Sequence, residues 1–192
     1  GPTLCKITRT AGAESSGSTT LCPAVEWLEY HPADWKIHQS WNGKLMYTKM
    51  ITQLCEDQTR NQILIAAIRR LAATGRRLLV VSDRRKHLAA LANQLEGGSV
   101  RHSLYCGEVG KKRKRQRDED AQTAQVLLST ASMCEEGLDL PFLDTLVVAS
   151  PKGGDQIVGR ILRTHEGKQR PLIVDVRDHC SVFFGMARKR AR

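Results

Sequence analysis

The sequence has few aromatic residues and no long hydrophobic run. Phe, Trp and Tyr together make up 5% of its 192 residues, which argues against a protein that binds nucleic acid mainly by stacking bases on exposed rings. No segment approaches the roughly 20 apolar residues that cross a bilayer, and no signal peptide is recognisable. Residues 1–2, Gly-Pro, match the scar left when a protease removes a purification tag, and no initiator Met precedes them. We therefore expect the chain to be a piece of a longer protein.

The cysteines are too scattered for a zinc ribbon. None of the six lies within four positions of another, and no C-x-x-C pair occurs. Cysteines spaced in this way, in a chain long enough to build a core, indicate reduced thiols and an intracellular setting. The six histidines are also scattered, so the sequence predicts no metal site.

The signatures of a self-sufficient triphosphatase are missing. The chain has no G-x-x-x-x-G-K-[ST] loop to cradle phosphates and no strand that ends in a metal-binding Asp-Glu pair. ATP hydrolysis needs a phosphate cradle, a magnesium site and an acid that orients water. We therefore expect no ATP hydrolysis by this chain alone.

The chain does have an excess of positive charge. Its 30 Lys and Arg residues against 20 Asp and Glu give a formal net charge of +10, which favours a polyanionic partner: nucleic acid first, an anionic membrane surface second. A basic protein without such a partner is the alternative. The densest run, Lys-Lys-Arg-Lys-Arg-Gln-Arg at 111–117, is followed at once by Asp118-Glu119-Asp120. It predicts either a patch that contacts phosphates or a solvated helix with charge pairs three and four residues apart.

Strands and helices alternate from residue 44 onward. A first helix is predicted near 46–54, and a second is capped by Asp57 and ended by Gly75. Hydrophobic patterning then predicts strands at 78–81, 104–106, 126–129, 143–149 and 171–176, and helices at 84–95, 111–123 and 155–163. This alternation predicts an α/β fold with a mainly parallel sheet flanked by helices.

The first part of the chain lacks such a pattern. Residues 4–9 alternate weakly, as a short strand would, and residues 11–20 have the Gly, Ser and Thr content of a flexible loop. Residues 21–42 hold all three tryptophans without clear periodicity, which predicts an irregular connector whose tryptophans pack on the domain. Stacking of Trp35 or Trp41 on nucleic-acid bases is the alternative. We therefore divide the chain into an N-terminal extension at 3–43 and a globular domain at 44–192.

Hydroxyl, glycine and cationic residues follow four of the predicted strands. Ligands of an open parallel sheet bind beyond the carboxyl ends of its strands, so these residues are candidates for one shared site. They are Ser82-Asp83-Arg84, Gly107-Glu108, Ser129-Thr130 and Ser150-Pro151-Lys152-Gly153-Gly154. Each alone also fits a helix cap, but their agreement in position predicts a functional edge.

The segment 156–163 splits into two helical stripes. Gln156, Gly159, Arg160 and Arg163 share one stripe, and Ile157, Val158, Ile161 and Leu162 share the other. The apolar stripe predicts packing on a core, while guanidinium groups suit phosphate oxygens. Ordinary surface arginines on an amphipathic helix are the alternative.

A further candidate lies at 135–141. Gly137 lets the backbone approach a ligand closely, and Asp139 offers a carboxylate to a ribose hydroxyl. A turn that leads into the next strand is the alternative.

Three of these segments, in this order, resemble signature motifs of superfamily 2 helicases. LVVSD at 79–83 resembles motif IV, LSTASMCEEGLDLP at 128–141 resembles motif V, and QIVGRILR at 156–163 matches the Q-x-x-G-R-x-x-R of motif VI. The resemblance covers about 44–188, and motifs V and VI together are specific. It identifies the chain as the C-terminal RecA-like domain of a DEAD/DEAH-like helicase. The chain is similar to the helicases of phages and large DNA viruses, including poxvirus-type transcript-release helicases.

The resemblance implies a role for each matching residue. Arg160 and Arg163 would be catalytic arginine fingers toward the γ-phosphate of ATP, with Gln156, Gly137 and Asp139 lining the nucleotide cleft. The implied nucleic-acid track comprises Ser82, Asp83, Arg84, Gly107, Ser129 and Thr130.

The implied partners are DNA or RNA and an N-terminal RecA-like domain of the same parent chain, with no membrane. ATP and Mg²⁺ are the implied cofactors of the full-length protein, and none is expected on this chain alone. The chain is expected to be monomeric and to act in the cytoplasm or nucleus of a host cell, or in a virion.

Two other functions fit parts of the sequence. A non-catalytic α/β module could bind nucleic acid through its basic run. A Rossmann-like enzyme of small phosphorylated substrates would need a glycine-rich turn after its first strand, and Ser82-Asp83-Arg84-Arg85 stands there instead.

Overall fold

The computed structural model describes residues 8–10, 23–107, 110–135, 140–151, 158, 161 and 165–190. Its strands are β1 (Thr8–Thr10), β2 (Ala24–Tyr30), β3 (Leu78–Val81), β4 (His102–Tyr105), β5 (Val126–Ser129), β6 (Thr145–Val148) and β7 (Leu172–Asp178). Its helices are α1 (Tyr47–Glu56), α2 (Gln58–Ala73), α3 (Arg85–Leu95), α4 (Lys111–Thr123), α5 (Ala131–Glu135) and α6 (Ser181–Arg190). One sheet has the order β1-β2-β7-β6-β3-β5-β4. Only β1 is antiparallel among these strands, which confirms the mainly parallel α/β fold.

The three central strands are short and apolar because helices cover both of their faces. The sequences LLVV, VLLS and TLVV of β3, β5 and β6 are buried throughout, as strands between two helical layers must be. Leu78 and Val80 of β3 join a core on one face with α1, α2, α3 and α6. Leu79 and Val81 point to the other face and join a second core that includes Ala121 of α4. The predicted strands at 78–81 and 126–129 are confirmed at both ends.

The caps of α2 also follow from local chemistry. The Asp57 side chain accepts a hydrogen bond from the backbone N–H of Arg60 at 2.8 Å, which satisfies a donor in the first turn. Gly75 lies just beyond the helix with φ +77°, a conformation that favours glycine. Both predictions for α2 are confirmed, and so are the bounds predicted for α4.

The prediction of an irregular connector at 21–42 is wrong for residues 24–30. These residues form β2, which pairs in parallel with β7 along its whole length, so the sheet begins before residue 44. Two glutamates interrupt the apolar pattern that would have predicted this strand. The fold accommodates both of them by ion pairing. Glu26 forms an ion pair with Arg70, and Glu29 forms one with Arg177.

The three tryptophans have different environments. Trp27 on β2 is buried, and Trp35 packs edge-on against Phe183 of α6 with ring centroids 5.9 Å apart. These two confirm the prediction that the tryptophans pack on the domain. Trp41 contradicts it, because it lies in a turn and is 98% exposed.

The C-terminal region contains more regular secondary structure than predicted. β7 runs to Asp178, two residues past the predicted end, and α6 follows it without having been predicted. No helix in the described ranges is long and apolar enough to cross a bilayer.

Candidate functional site

Hydrogen bonds connect the carboxyl ends of four neighbouring strands. The N–H of Ser82, after β3, donates to the Ser129 carbonyl of β5 at 3.3 Å. The N–H of Asp83 donates to Oγ of Ser150, after β6, at 3.1 Å. The Ser129 hydroxyl donates to the Tyr105 carbonyl of β4 at 2.8 Å. The prediction that the residues after these strands gather at one edge is therefore confirmed for Ser82, Asp83, Ser129 and Ser150. We call this side of the sheet the carboxyl edge.

A buried chain of hydrogen bonds holds the loop after β3. The Asn61 amide donates to the Cys55 carbonyl at 2.9 Å, which turns its oxygen toward His87 Nε2 at 2.8 Å. His87 Nδ1 then lies 2.9 Å from the Ser82 hydroxyl, which in turn accepts the Arg84 N–H at 3.3 Å. The Asn61 oxygen can only accept, so Nε2 carries a proton, and in the neutral imidazole Nδ1 accepts from the Ser82 hydroxyl.

Burial keeps this imidazole neutral. Burial, and after it the charge of the nearby Arg60 guanidinium, lower the pKa of His87 to about 3. A proton on Nδ1 would force the Ser82 hydroxyl to change from donor to acceptor in this bond. His87 is therefore a positioning residue for the loop.

Arg60 ties α2 to two strand ends. Its guanidinium binds both carboxylate oxygens of Asp178, at 2.6 and 3.2 Å, and donates to the Ala149 carbonyl at 2.7 Å. Both charged side chains are almost fully buried. The clamp fixes the backbone directly before Ser150.

Two arginines converge on Gly107 beyond β4. Arg117 of α4 donates to the Gly107 carbonyl at 2.7 Å and stacks on the Tyr105 ring at 4.2 Å. A Cβ added at Gly107 would lie 3.3 Å from Nη1 of Arg85, and the φ of Gly107 is +81°. The backbone conformation at position 107 thus favours glycine, and a Cβ there would also displace the end of the Arg85 side chain slightly.

A cleft of about 540 Å³ opens next to the loop after β3, between the α1–α2 junction and α3. Arg84, Arg85 and Lys86 line it, and Glu56 and Asp83 also contribute. Nε of Arg84 is buried without a hydrogen-bond partner among the described residues. The cations outnumber the acids here, which suits an anionic ligand.

The predicted nucleic-acid residues separate into buried and accessible positions. Ser82 and Ser129 are fully buried, and their hydroxyls hold the loops through His87 and the Tyr105 carbonyl. Their roles on the nucleic-acid track stay predictions. Asp83 and Arg84 are half-buried, and Thr130 is largely buried, with its hydroxyl 3.4 Å from that of Ser132. The roles of Asp83, Arg84, Gly107 and Thr130 in binding stay predictions.

The predicted nucleotide residues lie outside the described residues. These are Gly137, Asp139, Gln156, Arg160 and Arg163. Their described neighbours Val158 and Ile161 are helical, and both pack on the second core, as the apolar stripe predicts. The described ranges contain no group of three or more His, Cys, Asp or Glu side chains that could hold a metal ion.

Sequence reasoning missed His87, Arg85 and Arg117. Arg85 lies two residues after the motif IV segment, and Arg117 is the last residue of the basic run, so both positions carried a signal. For His87, helical periodicity indicated only that the residue lies on the buried face of α3, together with Leu88 and Leu91. Its tertiary partner Asn61 is 26 residues away.

Comparisons with known proteins agree with this architecture. The chain is 30% identical over 132 residues to a protein of Acanthamoeba polyphaga mimivirus named as an ATP-dependent RNA helicase, covering 68% of this chain and 25% of that protein. It is 29% identical over 149 residues to the transcript termination protein of Yaba-like disease virus, covering 72% of this chain and 30% of that one. The chain thus spans less than a third of the length of these relatives.

Solved structures share the fold. The carboxy-terminal part of the Fun30 ATPase domain superposes with a TM-score of 0.57 at 11% identity, covering 74% of this chain and 50% of that one. No protein-family model matches the chain. The strand order, the gathered strand ends and the viral relatives lead to one conclusion: the chain belongs to the superfamily 2 helicases, as a RecA-like domain.

Proposed function

We propose that the chain is the carboxy-terminal motor domain of an ATP-dependent nucleic-acid helicase or translocase. Its partner would be an amino-terminal RecA-like domain of the same parent protein, and the ATP site would lie between the two. The observation that carries the proposal is the joining of the four strand ends at the carboxyl edge by hydrogen bonds from Ser82, Asp83 and Ser129. Such an edge is where open parallel sheets bind their ligands.

The nucleic-acid backbone would run along this edge. Arg84 and Thr130 would contact it, and Gly107 would allow close approach of its backbone. His87 and Ser82 hold the loop in shape, so the contacts are preorganised. Phosphate contacts of this kind are sequence-independent and sensitive to salt.

The nucleotide side of the proposal depends on the helix that contains Val158 and Ile161. These two side chains pack on the core. In a continuous helix through them, positions 156, 160 and 163 would fall on the opposite stripe. Arg160 and Arg163 would then face the partner domain and stabilise negative charge on the transferring phosphoryl group. Gln156, Gly137 and Asp139 would orient the nucleotide. ATP would supply the phosphoanhydride whose hydrolysis drives alternate closing and opening of the two domains, and Mg²⁺ would neutralise charge on its phosphates.

Arginine substitutions in the parent protein test the proposal. Arginine fingers contribute about 10³–10⁵ in rate, so Arg160→Ala and Arg163→Ala are each expected to lower ATPase activity about a thousandfold. Nucleic-acid binding and thermal stability should stay close to those of the unchanged protein. Arg→Lys at either position is not expected to rescue activity, because an ammonium group cannot reproduce the planar fork.

Arg101→Ala is the matched control, since Arg101 is exposed at the opposite edge, before β4. It should leave ATPase activity unchanged. Full activity of the Arg160 and Arg163 variants would refute the motor function. A parent protein with no ATPase activity would favour a non-catalytic module that binds nucleic acid. Steady ATP turnover by this chain alone would contradict a shared site.

A further inference from the structure

The charges of α4 are ordered along the helix axis. Six of its first seven residues, 111–117, are Lys or Arg, with Gln116 as the exception, and Asp118, Glu119 and Asp120 follow them. The helix starts just after Gly110, close to the carboxyl end of β4, and ends at Ala124, next to the amino end of β5. The cationic half therefore lies at the carboxyl edge, and the acidic half points toward the opposite edge.

This order does not stabilise the helix. The amino-terminal end of a helix carries partial positive charge, and its first turn here contains no acid, so the cations oppose the helix dipole. Arg113 and Arg117 are four residues apart, a spacing at which like charges repel. The reverse order of the same residues would be more stable, so the observed order needs another reason.

The cations are held in place but left open to solvent. Arg117 anchors the helix through its stack on Tyr105 and its bond to the Gly107 carbonyl. Arg113, Lys114 and Arg115 are exposed. Arg115 pairs with Glu119 at 3.0 Å, but its side chain is 87% exposed, and such surface pairs are weak. We call Arg113, Lys114 and Arg115 the α4 cation patch.

We propose that the α4 cation patch binds the phosphates of the nucleic acid and continues the track past β4, the outer strand of the sheet. This proposal rests on the proposed function. Arg117 and Gly107 connect the patch to the strand ends, so the two surfaces are continuous. The patch contains no aromatic side chain, so it contacts phosphates and not bases. The seven residues 111–117 of α4 span about 10 Å, which is the length of about three phosphates along one strand of a duplex.

A salt titration of this chain with a labelled 20-nucleotide single strand tests the patch. The variant Arg113→Gln/Lys114→Gln/Arg115→Gln removes three cations. Each phosphate contact contributes about 0.7 to the slope of log affinity against log salt for single strands. The slope is therefore expected to become shallower by about 2. Between 50 and 200 mM salt, the unchanged chain should therefore lose roughly fifteenfold more affinity than the variant does. Fluorescence anisotropy measures the affinity, and circular dichroism checks the fold.

Two controls separate position from net charge. Arg115→Glu combined with Glu119→Arg keeps the net charge and the ion pair but moves one cation about 6 Å toward the opposite edge. We expect weaker binding without a loss of stability. Arg69→Gln/Arg101→Gln/Arg170→Gln removes three exposed arginines that lie away from the carboxyl edge, and we expect it to change the slope by less than 1.

The outcomes distinguish this proposal from the motor function. Equal slopes for the unchanged chain and the patch variant, or equal losses in both triple variants, overturn the role of the patch. They leave the ATPase test of Arg160 and Arg163 unaffected. If the patch variant loses binding to vesicles with 30% anionic lipid but binds the oligonucleotide as well as the unchanged chain does, the role of the patch in nucleic-acid binding is overturned in favour of a membrane. Absence of oligonucleotide binding by the unchanged chain at 50 mM salt also overturns it.

Discussion

His87 is the residue whose environment is most unusual for its type. It is buried, neutral and hydrogen-bonded at both ring nitrogens, to Asn61 and to Ser82. Its effect on function is indirect, because the Ser82 hydroxyl that it orients also accepts the N–H of Arg84 at the carboxyl edge.

His87 predicts a loss of stability in acid. Its pKa is about 3 in the folded chain and about 6.5 when unfolded. Between these values the unfolded state binds more protons, so the stabilising contribution is complete above pH 6.5 and declines as the pH falls toward 3. Between pH 7 and pH 5 the free energy of unfolding should fall by about 2 kcal/mol through this residue. Urea unfolding measures it.

His87→Asn supplies the comparison, since asparagine is polar but does not titrate. The variant is expected to be less stable at pH 7 and to have a flatter dependence on pH. Parallel profiles for the two proteins would contradict the role of His87. Because the difference between the profiles is compared, titration of the other histidines cancels.

Between elements, the clamp of Arg60 on Asp178 is a buried, bidentate ion pair. It joins α2 to the end of β7, and through the Ala149 carbonyl to the end of β6. Breaking a buried ion pair leaves an uncompensated charge, which typically costs about 3–5 kcal/mol. Arg60→Met should therefore lower the free energy of unfolding by about that amount, measured in urea.

The double variant Arg60→Met/Asp178→Leu tests the reason for that loss. Replacing both charges with apolar side chains removes the unpaired carboxylate, so much of the stability should return. If the double variant is as unstable as Arg60→Met, the loss comes from packing or from the Ala149 contact and not from an unpaired charge.

In the whole molecule, the position of β2 determines where the folding unit begins. β2 pairs with β7 and buries Trp27, Leu28 and Tyr30. Burial of such side chains contributes about 1.5–3 kcal/mol each, and domains of this kind are stable by only about 5–15 kcal/mol. A chain that starts at residue 44 is therefore expected to lack a cooperative thermal transition by circular dichroism.

A chain that starts at residue 23 keeps β2 and is the control. It should melt cooperatively at a temperature close to that of the full chain. Cooperative melting of the 44–192 chain at that same temperature would show that the division at residue 44 is a true domain boundary and that β2 is dispensable.

Local chemistry was sufficient for much of this fold and for the family. Continuous apolar runs predicted β3 and β5, charge and capping predicted α4 and α2, and the residues after the strands predicted the carboxyl edge. The segments 79–83, 128–141 and 156–163 indicated a superfamily 2 helicase before any contact was known. These features depend on neighbours in the chain, which the sequence contains directly.

Long-range pairing determined the remainder. β2 is a strand because β7 lies beside it and because Glu26 and Glu29 find cationic partners there. His87 became a positioning residue through Asn61, and Gly107 gained its significance from Arg85 and Arg117. Side-chain polarity and periodicity carry no information about which distant residue will neutralise a charge or complete a hydrogen bond. That choice was made only when the sheet brought these segments together.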